Sequence, residues 1–349
     1  MNATMESHIL KHANERSEAF RPNEKLDLLI ARLRGLLEPV QKAVNKSSGL
    51  PNYPLLGIVG CPRSGTTFMT QLLAATGAVS YPSNLVSRFA YAPHLGALIE
   101  QLLLNPEYDL GNEFSDLRSS SEFSSNVGKT TGALGINEFF HFWRRFFPNH
   151  DPGHLTEEQL EEVFVDDLRG ELASIQSVYS KPFMSKIMML QYNLEYFAEK
   201  MPELKIIHVQ RDPLYLMQSV SQARVKYYGS DKIWWSVKPK EYSFLKDESP
   251  ETQVAGQVLF TEQAISSQIK GLPEDRWITA KYESVCKDPK AFLNSLAERF
   301  TMPDLARDLS QVSDSYQSGN TRRLSESALA ILMSEYKRLG GELEIGLSR

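Results

Sequence analysis

The amino-acid sequence predicts an α/β fold in which helices cover both faces of a central parallel sheet. Short, uninterrupted apolar runs such as Leu55–Val59 are typical of strands that are buried on both sides. These runs alternate with segments in which apolar residues recur at helical spacing, and that alternation is typical of parallel sheets. A glycine-bounded loop, Gly60–Gly65, follows the first strand and leads into a predicted helix.

The first half of the chain is predicted to place a helix on either side of this strand. Helical spacing of leucines predicts a helix over residues 23–46, which Gly49 and Pro51 then end. The second helix is expected over residues 66–75. The serine-rich stretch 80–130 is the least regular part of the chain and is expected to form a loop or lid.

The second half is predicted to alternate strands with helices. The strands are expected over residues 183–189, 205–210 and 276–282, and the helices over 135–147, 156–179, 193–200, 252–270 and 288–300. Pro213 is expected to begin a further helix, with Asp212 as its N-cap.

Composition narrows the function classes. Apolar residues make up 42% of the 349 positions and charged residues 23%, as in ordinary globular proteins. A net charge of −5 offers no general attraction to phosphate backbones, so no nucleic-acid partner is expected. Two cysteines, Cys61 and Cys286, are too few for a disulfide scaffold or a cysteine-only zinc site, and no metal is expected. No apolar run approaches the roughly 20 residues of a membrane helix, so we expect a cytoplasmic protein without a membrane span.

The loop after the first strand has the sequence Gly60-Cys61-Pro62-Arg63-Ser64-Gly65-Thr66-Thr67. Backbone N–H groups in such a loop, with a helix N-terminus behind them, suit an anion. The nucleotide-kinase form G-x-x-x-x-G-K-[ST] has the same glycine spacing but needs a lysine where Thr66 stands. Because that lysine binds the β- and γ-phosphates, this loop is predicted to hold a phosphate without hydrolysing ATP, with Arg63 as its cation. A glycine turn without a ligand is the alternative.

The string Pro62–Thr67 resembles the 5′-phosphosulfate loop of sulfotransferases that use 3′-phosphoadenosine 5′-phosphosulfate (PAPS), and bacterial-type members often have arginine at the position of Arg63. A second segment has Arg211 at the end of a strand and Ser219 eight residues later, which resembles the 3′-phosphate site of the family. Two looser matches follow. Tyr282 lies in a segment like the one that contacts adenine, and Arg322-Arg323 lie where the family has basic residues on the 3′-phosphate.

This resemblance runs from about Leu55 to about Arg323 and implies a three-layer P-loop-like fold. It divides the chain into an N-terminal helical extension (1–50), a sulfotransferase domain (51–325) and a C-terminal helix or tail (326–349). It implies PAPS as the sulfuryl donor, 3′-phosphoadenosine 5′-phosphate (PAP) as the product and no divalent metal. The expected donor-binding residues are Cys61, Pro62, Arg63, Ser64, Gly65, Thr66, Thr67, Arg211, Ser219, Tyr282, Arg322 and Arg323. Taken singly, Arg211 and the Arg322-Arg323 pair could equally be solvated surface cations, and Tyr282 a core aromatic residue.

The general base departs from the best-known pattern of the family. Cytosolic small-molecule sulfotransferases have a Lys-Thr-His string before the 3′-phosphate strand, whereas Met188 stands here in place of the histidine. Lys186 is retained and is expected to stabilise the leaving oxygen. On the predicted helix 135–147, Glu138 and His141 lie three residues apart and share a face. Glu138 is the preferred base, His141 is the second choice, and a base elsewhere in the chain remains open.

The acceptor is predicted only as a class. A stretch rich in aromatic and cationic residues, 224–242, suits a sugar ring or a planar scaffold, although packing is the more common use of such residues. The acceptor is therefore a small molecule or saccharide, with a hydroxyl or amine of a saccharide, lipid or natural product as the attacking group. A homodimer is an open alternative. The two rival functions are a P-loop kinase or NTPase and a non-catalytic nucleotide-binding protein of the same fold.

Overall fold

The computed structural model describes residues 15–118, 130–149 and 151–342. The strands in this part of the chain form one parallel sheet in the order β2-β1-β3-β4. Their bounds are β1 Leu55–Val59, β2 Phe183–Lys186, β3 Leu204–Gln210 and β4 Trp277–Lys281. The central strand β1 is buried at every position, as its apolar sequence predicts. The prediction of a parallel α/β sheet is confirmed.

Helices surround this sheet. Their bounds are α1 Glu24–Ser48, α2 Thr66–Ala75, α3 Asn84–Ser87, α4 Pro93–Leu104, α5 Phe140–Trp143, α6 Glu157–Glu161, α7 Val165–Tyr179, α8 Leu194–Lys200, α9 Pro213–Tyr228, α10 Tyr242–Leu245, α11 Pro250–Ile269, α12 Tyr282–Lys287, α13 Pro289–Arg299 and α14 Glu326–Arg338. Short 3₁₀ turns cover Glu18–Phe20, Ser115–Arg118, Arg144–Phe146, Glu274–Arg276 and Pro303–Ala306. Asp212 caps α9 as predicted, since its Oδ1 accepts a hydrogen bond from the N–H of Leu214 at 2.8 Å.

Alternate residues of β1 face opposite layers, so the fold has three layers. Leu55 and Val59 pack into a core shared with helices α7 and α8. Leu56 and Ile58 point the other way and pack against α2 and α13. A third apolar cluster joins α9, α11 and α14 beside the end of β1. In a parallel sheet the carboxyl ends of the strands share one edge, which brings the segments after β1 and β3 together.

The predicted helix over 135–147 is wrong in extent. Only Phe140–Trp143 is α-helical, followed by the 3₁₀ turn up to Phe146. Ile136 instead forms an antiparallel bridge with Ser83, and Asn137 Oδ1 accepts the N–H of Phe139 at 2.9 Å. Phe139 has φ = +55°, outside the helical region. The side chain of Asn137 thus competes with the helix for backbone partners.

Three other boundaries also differ from the prediction. The stretch 80–130 contains the 12-residue helix α4, while its serine-rich part, residues 119–129, lies outside the described residues. The predicted helix 156–179 is split into α6 and α7, because the N–H of Phe164 bonds to the carbonyl of Phe146. Strand β2 ends at Lys186 because a turn from Ile187 to Leu190 follows it. No helix in the described ranges combines the length and apolarity that crossing a membrane requires.

Candidate active site

The loop after β1 leaves the N-terminus of α2 free of any side-chain cap. Gly65 is the N-cap residue and has φ = +102°, a conformation that glycine adopts without strain. A Cβ atom at Gly65 would lie 2.5 Å from the ring of Tyr282, so the close approach of that ring also requires glycine. Thr66 and Thr67 form the first turn of α2, and no side chain in the described residues caps that turn. Uncapped N–H groups and the positive end of a helix favour an anion here.

Ser64 provides a second sign that this loop suits an anion. Its side chain is completely buried, and its Oγ atom has no hydrogen-bond partner among the described residues. The N–H of Ser64 closes a turn by donating to the carbonyl of Cys61 at 3.0 Å. A buried hydroxyl without a partner costs about 1–3 kcal/mol, and an anion held by this loop would offer Ser64 Oγ an acceptor.

Two arginines and one serine from distant parts of the sequence meet at this loop. The Nε of Arg63 donates to Ser219 Oγ at 3.0 Å, and Nη1 of Arg211 donates to the backbone carbonyl of Arg63 at 2.9 Å. Burial lowers the pKa of Arg63, and the neighbouring charge of Arg211 lowers it further. Burial also lowers the pKa of Arg211. Within the described part of the chain, no ion pair joins either guanidinium to a carboxylate, although the charge of Glu138 acts on Arg63 and that of Glu283 on Arg211.

An aromatic group lies beside these cations. The guanidinium of Arg211 lies over the ring of Tyr282, 4.9 Å from its centre. The ring of Phe68 meets Tyr282 edge to face at 5.8 Å and Tyr316 at 5.1 Å. The Tyr282 hydroxyl accepts the N–H of Gly319 at 2.9 Å. Flat apolar surfaces next to guanidinium groups suit a planar heterocycle that carries anionic substituents.

Lys186 and Glu138 meet on the other side of the loop. The Nζ of Lys186 donates to Thr67 Oγ1 at 2.7 Å and to Glu138 Oε1 at 3.0 Å. Only 3% of the Lys186 side chain is exposed, compared with 41% for Glu138. The ammonium group is therefore fixed inside the site, while the carboxylate lies at its opening. Among the described residues, Oε2 of Glu138 has no partner and is free to accept a proton or hydrogen bond.

The structure does not bring all the predicted site residues together. The thiol of Cys61 is buried, and its N–H is directed to Glu262 Oε1 at 3.3 Å. Pro62 is also buried. His141 has Arg144, Asp27 and Arg88 as its charged neighbours, and no hydrogen bond joins it to Glu138 or Lys186. The prediction that Glu138 and His141 share a helix face is wrong, because Glu138 precedes α5.

Arg322 and Arg323, which were predicted to act together, also differ in their surroundings. Arg322 is exposed and faces Glu326, with 3.6 Å between Nη1 and Oε1. Arg323 is exposed too, but its charge reaches Arg63 and Arg211 and lowers the pKa of both. Of the pair, Arg323 alone is electrostatically coupled to the loop in this way.

Three polar residues that the sequence analysis did not select hold the site together. Asn320 Oδ1 accepts from Arg211 Nε at 2.7 Å, and Asn320 Nδ2 donates to Glu283 Oε1 at 2.7 Å. Gln218 bonds to the backbone beyond Asn320. Gln218 and Glu283 adjoin predicted site residues in sequence, and Asn320 lies two residues before Arg322, so this proximity is the signal that could have found them.

Comparisons with known proteins agree with this architecture. A family model described as the sulfotransferase family matches residues 54–306, which contain the loop, Lys186, Arg211 and Tyr282 but neither Arg322 nor Arg323. The solved structure of sulfotransferase STF9 from Mycobacterium avium is 15% identical with a TM-score of 0.57, over 97% of this chain and 91% of that one. Sulfotransferase STF1 from Mycobacterium tuberculosis H37Rv is 13% identical with a TM-score of 0.51, over 84% and 78%. None of the curated proteins matches the chain. The two solved structures support the fold, and because the family model covers most of the sequence, the chain belongs to the sulfotransferase family.

Proposed function

We propose that this protein transfers a sulfuryl group from PAPS to a hydroxyl or amine of a saccharide, lipid or natural-product acceptor in the cytoplasm. The observation that carries the proposal is the meeting of Arg63, Arg211 and Lys186 at the uncapped N-terminus of α2. PAPS has anionic groups at both ends of one nucleoside. A site for it therefore needs at least two cationic pockets and a flat surface.

The residues present fit that donor. The open first turn of α2, the unpaired Ser64 hydroxyl and Arg63 suit the 5′-phosphosulfate. Arg211 and Ser219 suit the 3′-phosphate, with Arg323 nearby. The aromatic group around Tyr282 suits adenine. Each pocket supplies the charge or surface that its part of PAPS requires.

The chain's own residues then have distinct tasks. When bound, PAPS supplies a sulfuryl group on a phosphosulfate anhydride. Arg63 binds the anionic oxygens of that group, and the Lys186 ammonium stabilises negative charge on the oxygen that departs. Glu138, at the opening, accepts the proton of the acceptor hydroxyl on its free oxygen.

The position of Lys186 favours this reaction over phosphoryl transfer by a P-loop kinase. In P-loop NTPases the loop Ser or Thr hydroxyl binds Mg²⁺. Here the corresponding hydroxyl, Thr67 Oγ1, accepts a hydrogen bond from the Lys186 ammonium at 2.7 Å. Two cations would compete for one oxygen, so Mg²⁺ binding is disfavoured. A non-catalytic nucleotide-binding protein would need no such pair of Lys186 and Glu138 beside its loop.

The test is nucleotide binding in the absence of magnesium. We expect PAP to raise the melting temperature without Mg²⁺ and ATP, which lacks a 3′-phosphate, to raise it much less. A ligand at 100 times its Kd stabilises the folded state by about 2.7 kcal/mol. Equal shifts with PAP and ATP, or a need for Mg²⁺, would contradict the proposed donor. Sulfuryl transfer to a panel of hydroxyl and amine acceptors then separates an enzyme from a binding protein.

Two arginine variants control this experiment. Arg211→Ala should weaken PAP binding by about 1.5–3 kcal/mol, the scale of a hydrogen bond to a charged group. Arg276 makes similar bonds to main-chain carbonyls, with Nε to Leu204 O at 2.7 Å, but is not among the site residues. Arg276→Ala should lower stability and leave PAP affinity unchanged. Unaltered affinity in Arg211→Ala would remove Arg211 from the site.

A further inference from the structure

Gln218 binds the backbone of one irregular segment, residues 319–324, through both ends of its side-chain amide. Its Nε2 donates to the carbonyl of Thr321 at 2.8 Å. Its Oε1 accepts from the N–H of Arg323 at 2.5 Å and of Leu324 at 3.0 Å. The side chain lies in α9 and is only 4% exposed. A buried amide that satisfies three main-chain groups fixes that segment firmly.

The segment 319–324 in turn controls two cations of the site. Asn320 Oδ1 accepts from Arg211 Nε, and the Asn320 amide is oriented by its bond to Glu283. The charge of Arg323 lies near enough to Arg211 to lower its pKa. The direction of the Arg211 guanidinium and the place of the Arg323 charge therefore depend on where this segment lies.

Helix α9 holds both sides of the site through consecutive residues. Ser219 accepts from Arg63 in the loop, while Gln218 holds the segment 319–324. Consecutive helical residues point about 100° apart, so the two side chains reach different neighbours. One turn of α9 thus sets the distance between the loop and the segment.

We propose that Gln218 is a positioning residue that gives the site its preference for a 3′-phosphorylated nucleotide. It holds the segment 319–324 so that Arg211 and Arg323 face the 3′-phosphate. This inference rests on the proposed function. Arg63, Lys186 and Glu138 make no hydrogen bond to the segment, and Ser219 holds Arg63 independently of it, so Gln218 should affect donor affinity much more than the transfer step.

The test compares two nucleotides in Gln218→Met, which keeps nearly the same volume without hydrogen bonds. We expect the Kd of PAP and the KM of PAPS to rise about tenfold or more, since charged hydrogen bonds are misaligned. The Kd of AMP, which lacks the 3′-phosphate, should change little. The kcat at saturating PAPS should stay within about twofold. Gln218→Glu keeps the two bonds to N–H groups and should lose part of the preference; it replaces the Met variant if that one folds poorly.

Gln176→Met is the matched control. Gln176 is also buried and bonds to the main chain of Tyr53 and Pro54 through both ends of its amide, at the start of β1. Its loss should lower stability without changing the ratio of PAP to AMP affinity. Equal weakening of PAP and AMP in Gln218→Met, or a fall in kcat alone, would overturn the inference. A wild-type protein that binds PAP no better than AMP would overturn the proposed function itself, and this inference with it.

Discussion

Arg63 has a backbone conformation that few residues other than glycine adopt. Its φ is +75°, and a non-glycine residue in this region costs about 1 kcal/mol or more. The surroundings impose the conformation, because Arg211 binds the carbonyl of Arg63 and Ser219 binds its Nε. Strain of this kind is concentrated at functional sites. We therefore infer that the strained conformation serves to place the charge of Arg63 at this point of the loop.

Glu138 allows a sharp test of the base. Glu138→Gln keeps the shape and can still accept a hydrogen bond from Lys186, but it cannot take a proton. Loss of a general base typically lowers turnover by about 10²–10⁴-fold. We expect kcat to fall on that scale, with PAP affinity and melting temperature nearly unchanged. Steady-state kinetics at saturating PAPS measures the effect.

His141→Gln is the matched control for the base, and it should retain turnover. The pH profile alone does not separate the two residues, because desolvation and the nearby Arg144 lower the pKa of His141. Both candidates would then lose activity in acid. A fully active Glu138→Gln combined with an inactive His141→Gln would reverse the assignment. If both variants stay active, the base is a different group.

Among single residues, the sequence predicted those that lie within a recognisable motif. Arg63, Arg211 and Ser219 were selected in two separate motifs, and the structure places them in direct contact. Asn320 and Glu283 were not selected, because an uncharged amide and a lone carboxylate acquire meaning only from the neighbours that folding brings to them. Their hydrogen-bond partners lie 109 and 37 residues away along the chain, and such separations leave no local pattern.

Single elements were predicted well where local and tertiary preferences agree. Helix α2 begins and ends where its pattern predicts. The aromatic stripe around α5, in contrast, predicts a helix that is longer than the one observed. The aromatic side chains of that stripe, such as Phe142 and Trp143, are indeed buried. The bridge between Ser83 and Ile136, which lie 53 residues apart, prevents the helix from starting earlier.

Glu100 joins three helices and makes their packing sensitive to pH. It lies in α4 and accepts a hydrogen bond from Ser83, the N-cap residue of α3. It also accepts one from the Tyr179 hydroxyl, at the end of α7, at 2.7 Å. Burial raises the pKa of Glu100. The folded state therefore favours the protonated carboxyl. Its contribution to stability is complete below the unfolded pKa and is lost as the pH rises through the folded pKa.

Glu100→Gln should remove this dependence, because its amide is neutral at every pH. The free energy of unfolding of the variant, relative to wild type, should therefore increase from about pH 4 to pH 8. Urea unfolding at several pH values measures it. Glu107→Gln, at an exposed position, controls for the change in net charge. A difference that stays constant with pH would show that Glu100 does not titrate in this range.

At the scale of the whole molecule, the sequence predicted the parallel sheet but not how α1 packs against α4 and α7. Gln41 is the buried residue of α1. Its Nε2 donates to Ser174 Oγ in α7 at 3.0 Å, and its Oε1 accepts the N–H of His94 at 3.1 Å. The N-cap position of α4, Ala92, has no capping side chain, so Gln41 takes that role from another helix. The leucine pattern of α1 predicts a helix but does not indicate this contact of Gln41.

We predict that α1 unfolds together with the sheet. Gln41→Leu leaves the N–H of His94 without a partner and should lower the free energy of unfolding by about 1–3 kcal/mol. Denaturant unfolding should show one transition for both proteins, and PAP affinity should not change. A separate early transition for α1, or unchanged stability, would instead favour an independent extension over residues 1–50.

The buried position of Cys61 determines how its thiol reacts with oxidants. The thiol is inaccessible, and burial raises its pKa well above the usual range, so it stays protonated at the base of the loop. Cys286 is only 2% exposed, and burial raises its pKa as well. Since thiolates react and thiols do not, peroxide and alkylating reagents should spare both cysteines of the folded protein. The rate of thiol labelling of the native chain therefore measures how often it opens, and a cysteine introduced on the surface would be its one readily reactive thiol.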